Sequence, residues 1–296
     1  MSRIVVLGAN GMLGHTILQI MKLDPAHKVI GVVRHESMAR YLRTLMGAQV
    51  VAGGDFLLSD GLKSILESLR PEVVINCVGL VKQSVLSDNI LAAVPINTIF
   101  PHTVAEICSL VGSRMVHIST DCVFSGAKGG YTEEDVPDAT DVYGRSKILG
   151  EVNYPGTLTL RTSAVGHELN TNHGLINWFL SQQGSIKGYT QAIFSGLPSA
   201  ELARVIRDRV LPHPDLEGKY HVAGPPISKH DLLQLVKQEY GKELQIEPDH
   251  RLVIDRSLDA TLFMETTGYA APPWPKMIST MRDEQKGESS CLTEKL

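Results

Sequence analysis

Thr120, Tyr143 and Lys147 offer a hydroxyl, a phenol and an ammonium, the groups needed to protonate a carbonyl oxygen. Reducing a ketone requires hydride on carbon and a proton on oxygen, and a protein can supply the proton and the alignment. A phenol with the ordinary pKa of about 10 is a poor acid at neutral pH, but a nearby cation favours the phenolate and lowers that value. Tyr143 and Lys147 are four residues apart, so on a helix they share a face. Lys147 is therefore expected to tune Tyr143 and to bind a coenzyme ribose. Thr120, at the end of a strand, is expected to donate a hydrogen bond to the substrate oxygen.

The hydride needs a carrier, and the chain opens on a candidate cradle for one. Gly8-Ala9-Asn10-Gly11-Met12-Leu13-Gly14 lies between an apolar run and a helical pattern. Residues without a Cβ let the chain turn tightly and let backbone N–H groups approach a pyrophosphate, and the helix N-terminus adds a favourable dipole. Downstream, Arg34 and His35 stand where the adenosine ribose is read. An arginine there pairs with a 2′-phosphate through its planar fork, which predicts NADP(H), with NAD(H) as the alternative if Glu36 serves the ribose instead. Asp55 and Phe56 follow the third apolar run and are candidates to contact the adenine. Cys77, Val78 and Gly79 end the fourth, where a small residue permits close approach of a coenzyme.

These groups need a scaffold that gathers strand ends. Short β-branched runs at Ile4–Leu7, Val29–Val33, Gln49–Ala52, Val73–Val78, Met115–Ser119 and Thr157–Leu160 read as strands. Helical patterns at Met12–Leu23, Ser37–Met46, Gly61–Leu69, Thr98–Val111 and Tyr143–Val152 separate them. The alternation predicts an α/β fold: a doubly wound parallel sheet of the Rossmann type over residues 1–165. Ligands on such sheets bind at the carboxyl ends of the strands, where Gly8, Gly79 and Thr120 fall. After Arg161 the alternation weakens. Gly174–Gln183, Ser199–Val210 with Ser199 as N-cap, and Ser228-capped Lys229–Tyr240 read as helices, and Lys219–Val222 as a strand. Residues 166–284 thus read as a smaller C-terminal substrate lobe that returns to the sheet near 200–224. The last helix is expected to pass through Met277 and Met281, and residues 285–296 to form a flexible tail.

Composition narrows the function classes. The 296 residues are 43% hydrophobic with a net charge of −4, so there is no basic footprint for nucleic acid. No apolar run reads as a membrane span and no secretory signal opens the chain, which predicts a cytoplasmic protein without a membrane partner. The four cysteines and eleven histidines show no metal-ligand spacing, so no metal is expected.

Three segments together resemble the extended short-chain dehydrogenase/reductase family: the glycine cradle, Ser119-Thr120-Asp121-Cys122-Val123-Phe124-Ser125-Gly126, and Tyr143-Gly144-Arg145-Ser146-Lys147 running on to Glu151. Within that family they look like the dTDP-4-dehydrorhamnose reductase branch. The resemblance implies an NADPH-dependent reductase of a nucleotide-linked 4-keto-6-deoxy sugar, with Thr120, Tyr143 and Lys147 as the catalytic set. It also implies a dTDP- or UDP-linked substrate and leaves a homodimer possible. Cys122 stands where the related 4,6-dehydratases carry a glutamate, and a thiol does not replace that carboxylate. Related epimerases hold NAD tightly and recycle its hydride, which fits Arg34 less well. Two departures mark the substrate side. Ala164 follows Arg161-Thr162-Ser163 where the branch commonly has a tryptophan, and the interval from Thr120 to Tyr143 is one residue shorter. Both suit a different sugar, such as an N-acetylated one on UDP. Asp121, Cys122, Val123, Ala164 and His173 are the candidate substrate contacts. A regulatory protein on the same fold, resembling the β subunit of methionine adenosyltransferase, is the competing class.

Overall fold

The computed structural model describes residues 2–54, 59–169 and 171–293. Seven strands form one wholly parallel sheet: β1 (Ser2–Leu7), β2 (His27–Val33), β3 (Gln49–Ala52), β4 (Val73–Asn76), β5 (Arg114–Ile118), β6 (Thr157–Arg161) and β7 (Gly218–His221). Their spatial order is β7-β6-β5-β4-β1-β2-β3. The order reverses between β1 and β4, which opens a crevice above the carboxyl ends of both.

These strands form because β-branched and apolar residues dominate them, and the central ones are apolar on both faces. Ile4, Val5, Val6 and Leu7 are all fully buried, as are Val74 and Ile75. One face packs under α1 (Met12–Met21) and α2 (Glu36–Met46), joined by much of the C-terminal half. The other packs under α3 (Ser59–Leu69) and α4 (Ile90–Val111) through Leu62, Leu66, Phe100, Val104 and Ile107.

Helix α4 begins well before the expected Thr98. Pro95 sits near the start of a π-helical stretch, Val94–Ile99, and interrupts the apolar pattern without ending the helix. By length and composition this helix is apolar enough to cross a bilayer, contrary to the expectation of no such run. Here its buried face, including Phe100, Val104 and Cys108, covers the sheet.

Beyond β6 the chain forms only short strands. Ala164–Val165 pairs with Leu197–Pro198, Ser185–Tyr189 with Gln245–Asp249, and Ala192–Phe194 with both Ile227–Ser228 and Ile254–Asp255. Helix α5 (Val142–Leu149) belongs to the sheet. Helices α6 (Leu175–Ser181), α7 (Ser199–Val205), α8 (Lys229–Tyr240), α9 (Thr261–Thr267) and α10 (Trp274–Thr293) follow it. Ser228 caps α8 as expected, its hydroxyl accepting from the Asp231 N–H at 3.0 Å. Ser199 does not cap α7. Pro198 occupies that position, and the Ser199 hydroxyl lies 3.2 Å from that of Thr16 on α1. Helix α10 runs on to Thr293, through much of the polar segment read as a flexible tail. Arg282 bonds Glu239 at 2.9 Å and Arg204 pairs with Glu284, so charged contacts tie the helix to the body where apolar periodicity stops.

Candidate active site

The glycine cradle lies at the switch point. Gly8 has φ +76°, a left-handed conformation, and a Cβ there would stand 3.1 Å from the Val78 side chain. A Cβ on Gly14 would come within 2.1 Å of the Gly8 carbonyl oxygen, so α1 can start this close to the β1 turn only with glycine. Gly11 is the N-cap of α1 and no side chain caps it. The first N–H groups of α1 therefore open toward an anion at the helix N-terminus. Asn10 and Gly11 are exposed there, and Met12 and Leu13 are half-buried. These residues fit a dinucleotide pyrophosphate.

Arg34 and His35 are exposed just past β2, with His35 as the N-cap of α2. Glu36, the acid that would serve a 2′-hydroxyl, pairs with Arg43 instead. Cys77, Val78 and Gly79 line the opposite bank, beyond β4. The Cys77 thiol is pushed up to about 12 by burial, partly offset by Lys147. Asp55 and Phe56 lie outside the described residues.

Thr120 follows β5 directly. Its hydroxyl accepts from the Cys122 N–H and donates to the Asp121 carboxylate, each at 3.1 Å, capping the short turn Asp121–Val123. Tyr143 and Lys147 sit on α5, capped by Asp141, which accepts from the Gly144 N–H at 2.7 Å. The helix lies close to the turn: a Cβ on Gly144 would approach the Cys122 carbonyl oxygen to 2.6 Å. Asn97 on α4 fixes it from behind, donating to Ser146 at 3.1 Å and accepting from the Leu80 N–H at 2.8 Å. Asn97 is thus a structural hydrogen bonder that ties α4 to α5 and to the segment after β4.

Tyr143 is buried, and the Thr120 side chain acts on its phenol. Burial pushes its phenol upward, reinforced by Cys122 and opposed by Thr120, and the lowering expected from Lys147 is not among its main influences. Lys147 donates to the Ile118 carbonyl oxygen at 3.0 Å, and burial pulls its pKa down to about 8. Its ammonium lies 3.9 Å from where a Cβ on Gly79 would stand, on the coenzyme side.

A cleft of about 430 Å³ opens beside this centre. Asp121 and Cys122 line it from the sheet side and Ser163 from beyond β6. Lys82, Lys187, Lys229 and Arg256 give it four cations, and Trp178, Tyr189, Phe194, Leu252 and Ile254 give it apolar walls. The Lys229 ammonium sits over the Phe194 ring, 3.9 Å from its centroid. Burial pulls that lysine down while Asp121 and Cys122 favour its charge. Asp121 is pushed up by burial, with Lys229 and Arg256 acting against the shift. The Cys122 thiol is pushed up to about 12 by burial and Asp121, so it stays protonated.

Not every candidate substrate contact meets at this cleft. Val123 is fully buried and packs with Phe124, Tyr131, Ala223 and Leu258, so it supports the turn from below. Ala164 is half-buried in a short strand and His173 is exposed before α6, and neither lines the cleft. The four cations were missed because each comes from a different segment and none carries a local motif.

Fold and site together define a dinucleotide-binding α/β protein with a Thr, Tyr, Lys group beside a second, cationic cleft. The chain matches the RmlD substrate binding domain family over residues 2–251 and belongs to it. It is 24% identical over 307 residues to the dTDP-4-dehydrorhamnose reductase of Aggregatibacter actinomycetemcomitans, covering 95% of this chain and 99% of that protein. It is 28% identical over 163 residues to methionine adenosyltransferase 2 subunit beta of Danio rerio, covering 54% of this chain and 46% of that protein. Its fold matches the crystal structure of dTDP-4-dehydrorhamnose reductase from Bacillus anthracis in complex with NADP, with TM-score 0.79 and 22% identity over 96% of this chain and 99% of the other.

Proposed function

We propose that this protein is an NADP(H)-dependent reductase of a nucleotide-linked 4-keto-6-deoxy sugar. The observation that carries the reading is the grouping of Thr120, Tyr143 and Lys147 between the glycine turn and the cationic cleft. When bound, the coenzyme would supply the hydride. Gly8 to Gly14 would receive its pyrophosphate, and Lys147 and Gly79 its ribose side. Arg34 favours a 2′-phosphate, because Glu36 is already engaged by Arg43. NAD(H) is the alternative coenzyme.

The protein's own steps are few. Thr120 exchanges its bond to Asp121 for one to the sugar carbonyl oxygen and orients it. Tyr143 passes its proton to that oxygen as negative charge develops, and the Lys147 ammonium stabilises the phenolate left behind. Lys82, Lys187 and Arg256 are suited to a diphosphate, and Trp178 and Tyr189 to the flat face of a base. The relative with matching length is named for a dTDP-sugar, and a cleft with this charge and these apolar walls suits a related ketosugar nucleotide.

The test is NADPH oxidation with a panel of dTDP- and UDP-linked 4-keto-6-deoxy sugars. Stoichiometric oxidation with at least one member is expected. Sugar inversion without net NADPH consumption would mark an epimerase. Inertness toward the whole panel, with stable co-purification of a methionine adenosyltransferase, would establish the regulatory reading in its place.

A further inference from the structure

Behind the site, the ends of β5, α5, β6 and β7 are joined by a buried polar cluster that no step above uses. Glu151 lies just past the end of α5, its side chain 5% exposed, and pairs with Arg161, which is 0% exposed. Arg161 donates through Nε to Oε1 and through Nη2 to Oε2, both at 2.8 Å. The Ser119 hydroxyl donates to the same Oε1 at 2.8 Å. Arg161 Nη1 is 3.3 Å from His221 Nε2, and His221 Nδ1 is 2.9 Å from the Tyr131 carbonyl oxygen. The guanidinium also stacks over Phe124 at 5.2 Å. A buried ion pair gains little over a well-packed apolar substitute, so stability is a weak reason for this one.

Its position gives a better reason. Glu151 follows Lys147 by four residues, and the two side chains hold successive residues of one strand end. Lys147 holds the Ile118 carbonyl, Glu151 holds the Ser119 hydroxyl, and Thr120 comes next. We propose that Glu151 is a positioning residue for the catalytic group: it fixes the strand end beneath Thr120 and supplies the counter-charge to the Lys147 ammonium held at the Ile118 carbonyl. The proposal rests on the reductase reading for the roles of those three residues. The groups facing Lys147 are Glu151, Cys77 from the end of β4 and His117 from β5. His117 is held neutral, its pKa driven well down by burial and then by Lys147 itself. Glu151 is the first-ranked influence that favours the charged lysine.

The test follows Lys147 directly, by the 13Cε shift of lysine-labelled, coenzyme-free protein across a pH titration, with Lys147→Met assigning the signal. Glu151→Gln is expected to move the Lys147 midpoint down by about one unit. Ser119→Ala, which loosens the strand end without changing charge, is expected to leave the midpoint in place. If Glu151→Gln does not fold with Arg161 unpaired, Glu151→Gln/Arg161→Gln neutralises both partners, and the midpoint again falls. A folded single or double variant in which Lys147 titrates at the wild-type pH overturns the proposal. The readout needs no substrate, so failure of ketosugar reduction counts against the proposed function and leaves this titration standing.

Discussion

Under the proposed function, the Gly8–Gly14 turn and the Lys187–Arg256 wall would meet ligands by opposite means. The turn would work by removing side chains: a Cβ at Gly14 would collide with the Gly8 carbonyl, leaving backbone N–H groups to do the binding. The wall would work by adding them, with long cations and aromatic rings drawn from loops, short strands and helices. Backbone recognition tolerates few sequences and suits an invariant ligand part such as a pyrophosphate. Side-chain recognition can be exchanged one residue at a time and suits a variable part such as a sugar. The chemistry sits at the seam, where Tyr143 and Thr120 meet between the two regions.

Four changes test that division. Tyr143→Phe removes the proton donor at the seam and is expected to lower kcat by roughly 10²–10⁴-fold. NADPH affinity, followed by coenzyme fluorescence, should hardly move. A loss of both would place Tyr143 in the coenzyme site and blur the comparison. Arg34→Ala acts only on the coenzyme side. It should raise the KM for NADPH by about tenfold or more, leave that for NADH nearly unchanged, and spare the KM for the sugar nucleotide.

Lys147 tests what its burial costs. Its folded pKa of about 8 lies below the ordinary lysine value, so between those limits the unfolded chain binds more protons and stability rises with pH. The burden is fully present below about pH 8 and is relieved as pH climbs toward 10.5. Lys147→Met should therefore abolish turnover while raising unfolding free energy at pH 7 by about 1–3 kcal/mol, a gain that shrinks in alkaline denaturant melts. Lys187→Ala makes the smallest change, an expected severalfold rise in the KM for the sugar nucleotide at low salt, fading as ionic strength increases. An equal effect on NADPH would show that the two regions do not divide the ligands.

The six strands β1–β6 were legible to within two residues at each end because each is a short run rich in apolar or β-branched residues bounded by turns, a pattern that burial in a parallel sheet favours. The start of α4 was not, since Pro95 looks like a terminator and a π-helical stretch absorbs it. Ser199 looked like a cap because its type favours one, yet Pro198 precedes it and the hydroxyl turned to Thr16. In the C-terminal half, strands of two to five residues pair with distant segments, so little periodicity marks them. Val123 was assigned to the sugar pocket from its neighbours, but a tight turn points successive residues to different sides, and its side chain went into the core.

The order of glycines and the spacing of Thr120, Tyr143 and Lys147 were enough by themselves to single out a candidate coenzyme cradle and a candidate carbonyl-protonating group, because backbone sterics and helical periodicity are local rules. The shape and charge of the cleft were decided only on folding. Lys82, Lys187, Lys229 and Arg256 come from four separate segments, and burial set the protonation of Tyr143, Lys147 and Cys122. Desolvation depends on what packs around a group in space, and neighbours along the chain carry no record of it.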